Sequence, residues 1–179
     1  MALPDLESER LILEPLRIEH ADELAPVLDD AALHEFIGGR PPTPSELRRR
    51  FERQVHGHSP DGGERWLNWT VRLRATGRAV GTAQATIGAD GTANLAWVIG
   101  HAYQGQGLAK EAAGLMASWL RGHGVERLGA RIHPRHGASI AVARSIGLVA
   151  TATIVDGEIQ WQSESAPRKE PHGTGADHH

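Results

Sequence analysis

Residues 103–111 read YQGQGLAKE and pass straight into the apolar run AAGLMASWL, so a glycine-rich turn delivers the chain to the start of a helix. The first amides of a helix have no carbonyl within it to bond, and together they form a site for an anion. Gly105 and Gly107 let the main chain approach a bulky anion, and Gly107 can take positive φ without a Cβ clash. Leu108 can anchor the turn in the core, Ala109 leaves the approach open, and Lys110 can add a cation at the rim. The helix dipole contributes only about 0.3–1 kcal/mol per nearby exposed charge, so the N–H groups themselves must carry most of the binding. A dinucleotide G-x-G-x-x-G fingerprint fails, because Lys110 stands at its third glycine and hairpins precede the turn. The Walker pattern fails on spacing and on its missing Ser/Thr.

The surrounding elements must present this turn. RLILEPL (10–16) alternates apolar and polar residues and is closed by Pro15, which suits a strand near a sheet edge. IEHADELAPVLDDAALHEF sets Leu24, Val27 and Leu28 on one helical face, and a second helix beginning near Ser45 repeats Leu47, Phe51 and Val55 every four residues. HGHSPDGGE reads as a loosely ordered loop whose His56, His58 and Asp61 lack the second cluster a metal site needs. WLNWTVRLR, AVGTAQATI and ANLAWVIG then form a meander with turns at ATGR and GADGT. The helix after the quoted turn carries a stripe of Leu108, Ala112, Leu115 and Trp119 and ends at Gly122 and Gly124. VERLGARIH, a helix over HGASIAVARSIG, and the hairpin LVATATIV/IQWQSE complete the order: strand, two helices, three strands, helix, strand, helix, two strands. This is an α+β class with a mixed sheet covered by helices. Trp66, Trp69, Trp97 and Trp119 read as core aromatics, with Trp66 the one placed to line a pocket after the loop.

With 179 residues the chain suits one domain, 1–164, followed by a loose tail, 165–179, that includes His172, His178 and His179. Its 19 Lys+Arg against 22 Asp+Glu give a net charge of −3, which offers no broad positive field for nucleic acid or anionic membrane. The absence of cysteine excludes disulfides and thiol nucleophiles and fits a reducing compartment. No secretory signal pattern or membrane-length run appears, so the expected location is the cytoplasm.

Gln104–Ala109 matches the pattern Q/R-x-x-G-x-G/A of the GNAT superfamily of N-acetyltransferases. ERLILEPL resembles the opening strand of its RimJ/RimL-like branch. TGRAVGTAQATI and ANLAWVIGHAYQGQGLAKEA are similar to its third and fourth strands, and ASIAVARSIGL to its late helix. The likeness spans about residues 8–164. It implies a six- to seven-stranded, mostly antiparallel mixed sheet, splayed between the fourth and fifth strands and flanked by about four helices. It also implies acetyl-CoA as co-substrate, no metal, and an amine acceptor, either a small molecule or a protein N-terminus. Family members are often dimers. On that resemblance Gln104, Gly105, Gln106, Gly107, Leu108 and Ala109 hold the pyrophosphate. The main chain of Trp97, Val98 and Ile99 holds pantetheine, and His136 and Ser139 contact the cofactor.

The sequence departs from the family twice. Asn94 occupies the place of a fourth-strand glutamate base, and the only tyrosine, Tyr103, lies beside the pyrophosphate turn rather than on the late helix. Ser139 is the nearest substitute acid for the leaving thiolate, and His101, Glu35 and Glu64 are the candidate replacement bases. The expected reaction is N-acetyl transfer by direct attack on the thioester through a tetrahedral intermediate. The competing reading is a non-catalytic acyl-CoA-binding module of the same fold.

Overall fold

The computed structural model describes residues 3–30 and 40–164. The candidate Glu35 and the tail 165–179 lie outside them. Eight strands form one sheet: β1 (Leu6–Glu7), β2 (Leu11–Pro15), β3 (Arg65–Leu73), β4 (Ala79–Ile87), β5 (Ala93–Ile99), β6 (Leu128–Ile132), β7 (Leu148–Val155) and β8 (Glu158–Ser163). Their order is β1-β2-β3-β4-β5-β6-β8-β7, antiparallel throughout except for β5 beside β6. The count exceeds the sequence expectation by one because the two-residue β1 is too short to show a period. Four α-helices lie among the described residues: α1 (His20–Leu28), α2 (Pro44–Gln54), α3 (Leu108–Gly122) and α4 (Gly137–Ser145).

Strand alternation divides the apolar residues between two cores. Leu67, Trp69 and Val71 of β3, Ala83 and Ala85 of β4, and Ala93, Leu95 and Ile99 of β5 pack under α3 and α4. On the other face Ala21, Leu24, Ala25 and Leu28 of α1 join Leu47 and Phe51 of α2. Thr43 caps α2, its hydroxyl accepting from the Glu46 amide at 3.2 Å, and Pro44 fills the first turn. Two expected stripes are corrected. Val55 is exposed, since α2 stops at Gln54 and leaves it as the C-cap. In α3 the buried face is Leu108, Ala112, Ala113, Met116, Ala117 and Leu120, with Leu115 and Trp119 at its margin. The abundance of alanine gave the sequence no contrast to fix the rotation of that helix. The loop expected to be loose is internally bonded: the buried Ser59 donates to Asp61 Oδ1 at 2.6 Å and accepts from the Glu64 amide.

The sheet parts where the resemblance implied it. β5 and β6 pair only at Ala93–Leu128 and Asn94–Gly129, so from Leu95 to Ile99 β5 has no neighbour on that side. On its other side β5 is held closely to β4 by Gly81. A Cβ there would stand 2.0 Å from the Val98 carbonyl oxygen. Gly81→Ala is therefore expected to force the strands apart and lower the thermal midpoint by roughly 5–10 °C, about 2–3 kcal/mol. Gly114→Ala, in α3 with nothing within 4 Å of the added carbon, is expected to raise it slightly. Calorimetry of the two variants checks both signs.

Candidate active site

The unpaired side of β5 is one wall of a cavity of about 410 Å³. Trp97, Val98 and Ile99 form that wall, the turn from Gln104 to Lys110 forms its end, and α4 with His136 and Ser139 closes the opposite side. The structure thus brings together ten of the predicted residues: Trp97, Val98, Ile99, Gln104, Gly105, Gly107, Leu108, Ala109, His136 and Ser139. Gln106 and His101 are not among the lining residues. Gln106 turns its carbonyl away to accept from Arg10, and His101 sits exposed in a short 3₁₀ turn, His101–Tyr103.

The turn has the backbone geometry that the sequence pointed to. Gly105 and Gly107 have φ of 80° and 79°, a conformation in which a side chain would be strained. Gly107 is the N-cap of α3 and provides no side-chain cap. The amides of Gly107, Leu108, Ala109 and Lys110 find no acceptor among the described residues, and all four residues line the cavity end. Gln104 helps to set the turn, its Nε2 donating to the Ile99 carbonyl at 3.0 Å and tying the turn to the end of β5.

A second support comes from a hundred residues earlier. Arg10 donates through Nη1 to the Gln106 carbonyl at 2.7 Å and through Nε to Glu111 Oε1 at 2.8 Å. Ser8 Oγ donates to Glu111 Oε2 at 2.6 Å, and the Arg10 amide bonds the same oxygen. Burial pushes the Glu111 carboxyl upward, but these hydrogen bonds outweigh it and hold the group below its ordinary range. A carboxylate in the first turn of α3 would oppose a bound anion; here its charge is met by Arg10. Arg10 and Glu111 were invisible in the sequence as functional residues, because no local spacing joins positions so far apart.

On the opposite wall His136 caps α4. Its Nδ1 accepts from the Ser139 amide at 3.3 Å, and Nε2 lies 3.2 Å from Ser139 Oγ. With Nδ1 accepting, the neutral ring carries its proton on Nε2 and donates to Ser139. The Ser139 hydroxyl proton is left available to a cavity ligand. Burial, with His133 nearby, holds His136 below the ordinary imidazole pKa and so favours that neutral form.

The base position is occupied by an amide pair. Gln160 Nε2 donates to Asn94 Oδ1 at 3.2 Å and to the Trp161 carbonyl at 3.0 Å. Gly129 makes this possible, since a Cβ there would lie 2.8 Å from both amide groups. Glu64 is exposed at the start of β3, and Trp66 lines a separate cavity of about 610 Å³ with Trp119 and His123. The described residues hold no cluster of three or more metal-ligating side chains.

Gly107→Val is expected to weaken coenzyme A binding by at least roughly 100-fold, through lost backbone approach and strained φ. Arg10→Met, which frees Gln106 and leaves Glu111 facing the site, is expected to weaken it about 10-fold. Isothermal titration reads both, and unchanged affinity in either variant contradicts the assigned role.

The comparisons agree with this geometry. The sequence model of the acetyltransferase (GNAT) domain matches residues 10–149. No curated protein matches the chain at the sequence level. Among solved structures, the ribosomal L7/L12 α-N-protein acetyltransferase RimL in complex with coenzyme A superposes with a TM-score of 0.75 at 17% identity, covering 89% of this chain and 97% of that one. An acetyltransferase from Agrobacterium tumefaciens gives 0.71 at 22% identity, with 92% and 96% covered. The microcin C7 self-immunity acetyltransferase MccE, in complex with acetyl-CoA and AMP, gives 0.72 at 16%, with 87% and 93% covered. A splayed sheet of this order, a bare-amide turn and a domain match over most of the chain agree: the protein belongs to the GNAT acetyltransferase family.

Proposed function

We propose that the protein transfers an acetyl group from acetyl-CoA to a primary amine, on a small molecule or a peptide N-terminus. The observation that carries this is the 410 Å³ cavity, open along the unpaired edge of β5 and ending on the free amides of α3. Pantetheine pairs with Trp97–Ile99 as an added strand would, and the diphosphate lies on the turn from Gln104 to Ala109. A neutral amine attacks the thioester carbon, the carbonyl electrons move to oxygen, and a main-chain N–H of β5 stabilises the oxyanion. Collapse breaks the C–S bond; the Ser139 hydroxyl passes its proton to the leaving thiolate and takes up in its place the one that leaves the new ammonium group, so that serine and solvent end unchanged.

Asn94 cannot deprotonate the incoming ammonium at neutral pH to give the neutral amine, and its Oδ1 is already engaged by Gln160. His101 lies off the cavity lining, which leaves the acceptor's own acidity to decide. Deprotonating an amine of pKa ≈ 10.4 at pH 7 costs roughly 4.6 kcal/mol, against about 1–1.4 for an α-amine near 7.7–8.0. The reading therefore favours α-amines. It places the enzyme in the cytoplasm, where acyl-CoA is available. No helix among the described residues is long and apolar enough to cross a membrane.

The Asn94–Gln160 pair also favours a second reading, an acyl-CoA-binding module that has lost catalysis. Thiol release from acetyl-CoA across an amine panel separates the two: turnover supports the transferase, and tight binding without turnover supports the module. In the active protein Ser139→Ala is expected to lower kcat about 10-fold to 100-fold. Protonating His136 removes the Nδ1 acceptor, and its pKa is lowered, so kcat/KM is expected to lose an acid limb below about pH 6.5. The alkaline limb should follow the acceptor's own pKa. A fixed limb near 7, independent of the acceptor, would reveal an enzymic base and contradict this mechanism.

A further inference from the structure

The face of the sheet under α1 and α2 carries polar side chains in register. Trp66, Thr86 and Asn94 form one row across β3, β4 and β5, followed by Asn68, Gln84 and Ala96, then Thr70, Thr82 and Val98. Over the last two rows lies a second cavity of about 130 Å³, lined by Asn68, Thr82 and Gln84 from the sheet and by Arg50, Phe51 and Gln54 from α2. It shares Trp97 and Val98 with the cofactor cavity, so the two meet across β5, where an acetyl group on the pantetheine arm would be handed over.

The chemistry of that lining is specific. Arg50, which is exposed, is its one charged residue and has no ion pair, both among the described residues. On the same helix Arg48 is paired with Asp22, while Arg49 and Arg53 are exposed and do not line the cavity. Among the described residues the side chains of Gln54, Asn68, Thr82 and Gln84 make no hydrogen bond either, although each is half-buried. Next to them the orientation of Asn94 is fixed, because Gln160 spends both Nε2 protons on Asn94 Oδ1 and the Trp161 carbonyl. Asn94 Nδ2 therefore remains a donor without a protein acceptor. Donors predominate, one of them cationic, and no carboxylate is present among the described lining residues. Half-buried polar groups without partners leave free energy to be recovered by a ligand that pairs them. A cationic neighbour disfavours an acceptor carrying several ammonium groups. The volume is also far below the roughly 300–1,000 Å³ of sites that enclose drug-sized ligands.

From this we infer that the acceptor is an α-amine with a side-chain carboxylate a few bonds away, read by Arg50, the carboxylate belonging either to a free acidic amino acid or to an acidic residue at a peptide N-terminus. Arg50 is then a specificity-determining residue. The inference rests on the acetyltransferase reading above and narrows it to one substrate class.

The test is thiol release from acetyl-CoA with matched acceptors: glutamate against glutamine, N-terminal Ser-Glu and Glu-Ser peptides against their amide counterparts Ser-Gln and Gln-Ser, and spermidine. The wild-type protein is expected to favour the carboxylate member of at least one matched pair by roughly 10-fold or more in kcat/KM and to use spermidine poorly. The pair that discriminates identifies the source. In Arg50→Ala the ratio within that pair should fall to near one, in Arg50→Lys it should be partly restored, and in Arg50→Glu it should invert. A merely structural role for Arg50 would lower both members together and leave the ratio intact. Equal use of both members of every pair overturns this inference while leaving the transferase reading in place. Acetyl-CoA binding with no release on any acceptor overturns both.

Discussion

Backbone groups taken out of water need partners, and in this fold the partners run out in two adjoining places. β5 leaves β6 after Asn94, and the first turn of α3 begins on a glycine that cannot cap it. Each defect alone would be a local weakness. Side by side they form one line of unpaired main-chain groups along a 410 Å³ cavity, and the proposed ligand is strand-like at one end and doubly anionic at the other. Everything else in the site serves to keep that line open. Gly81 lets β4 hold β5 from behind, Gln104 fastens the turn to the strand end, and α4 stands off as the far wall.

Charge is managed around the anion site by pairing rather than by a large positive field. The chain is net acidic, and the carboxylate nearest the bare amides, Glu111, is held by Ser8 and Arg10. Through Nη1 the same Arg10 fixes the Gln106 carbonyl, so one guanidinium both neutralises the carboxylate and orients the turn. Where the family places a carboxylate base, two amides satisfy one another over Gly129. A proposed reaction on this scaffold then depends on an acceptor that gives up its proton readily, which links the missing base to the substrate rather than to a substitute residue.

The sequence was most legible where physics is local. Positive φ at Gly107, the glycine stops of α3 and α4, the hairpin turns and the alternation of β3 to β5 all follow from a few neighbouring residues, and the structure reproduces them. Rotation of α3 was misjudged because six of its fifteen residues are alanine or glycine and carry little amphipathic contrast. Val55 was misassigned because a four-residue period does not reveal where a helix stops. The members of the site that the sequence concealed are long-range ones. Arg10 reaches Glu111, and Gln160 reaches Asn94, across 101 and 66 residues, and only the folded chain brings them together.

The central claim is that the free amides between Gly105 and Lys110 receive the diphosphate of the cofactor. The most direct measurement is an ¹⁵N-resolved titration of the protein with coenzyme A and, separately, with pantetheine, which lacks the diphosphate. Coenzyme A should shift the amide resonances of Gly105, Gly107, Leu108 and Ala109 strongly downfield, while pantetheine should perturb Trp97–Ile99 and leave the turn unmoved. If coenzyme A binds and those turn amides stay where they are, the account is contradicted.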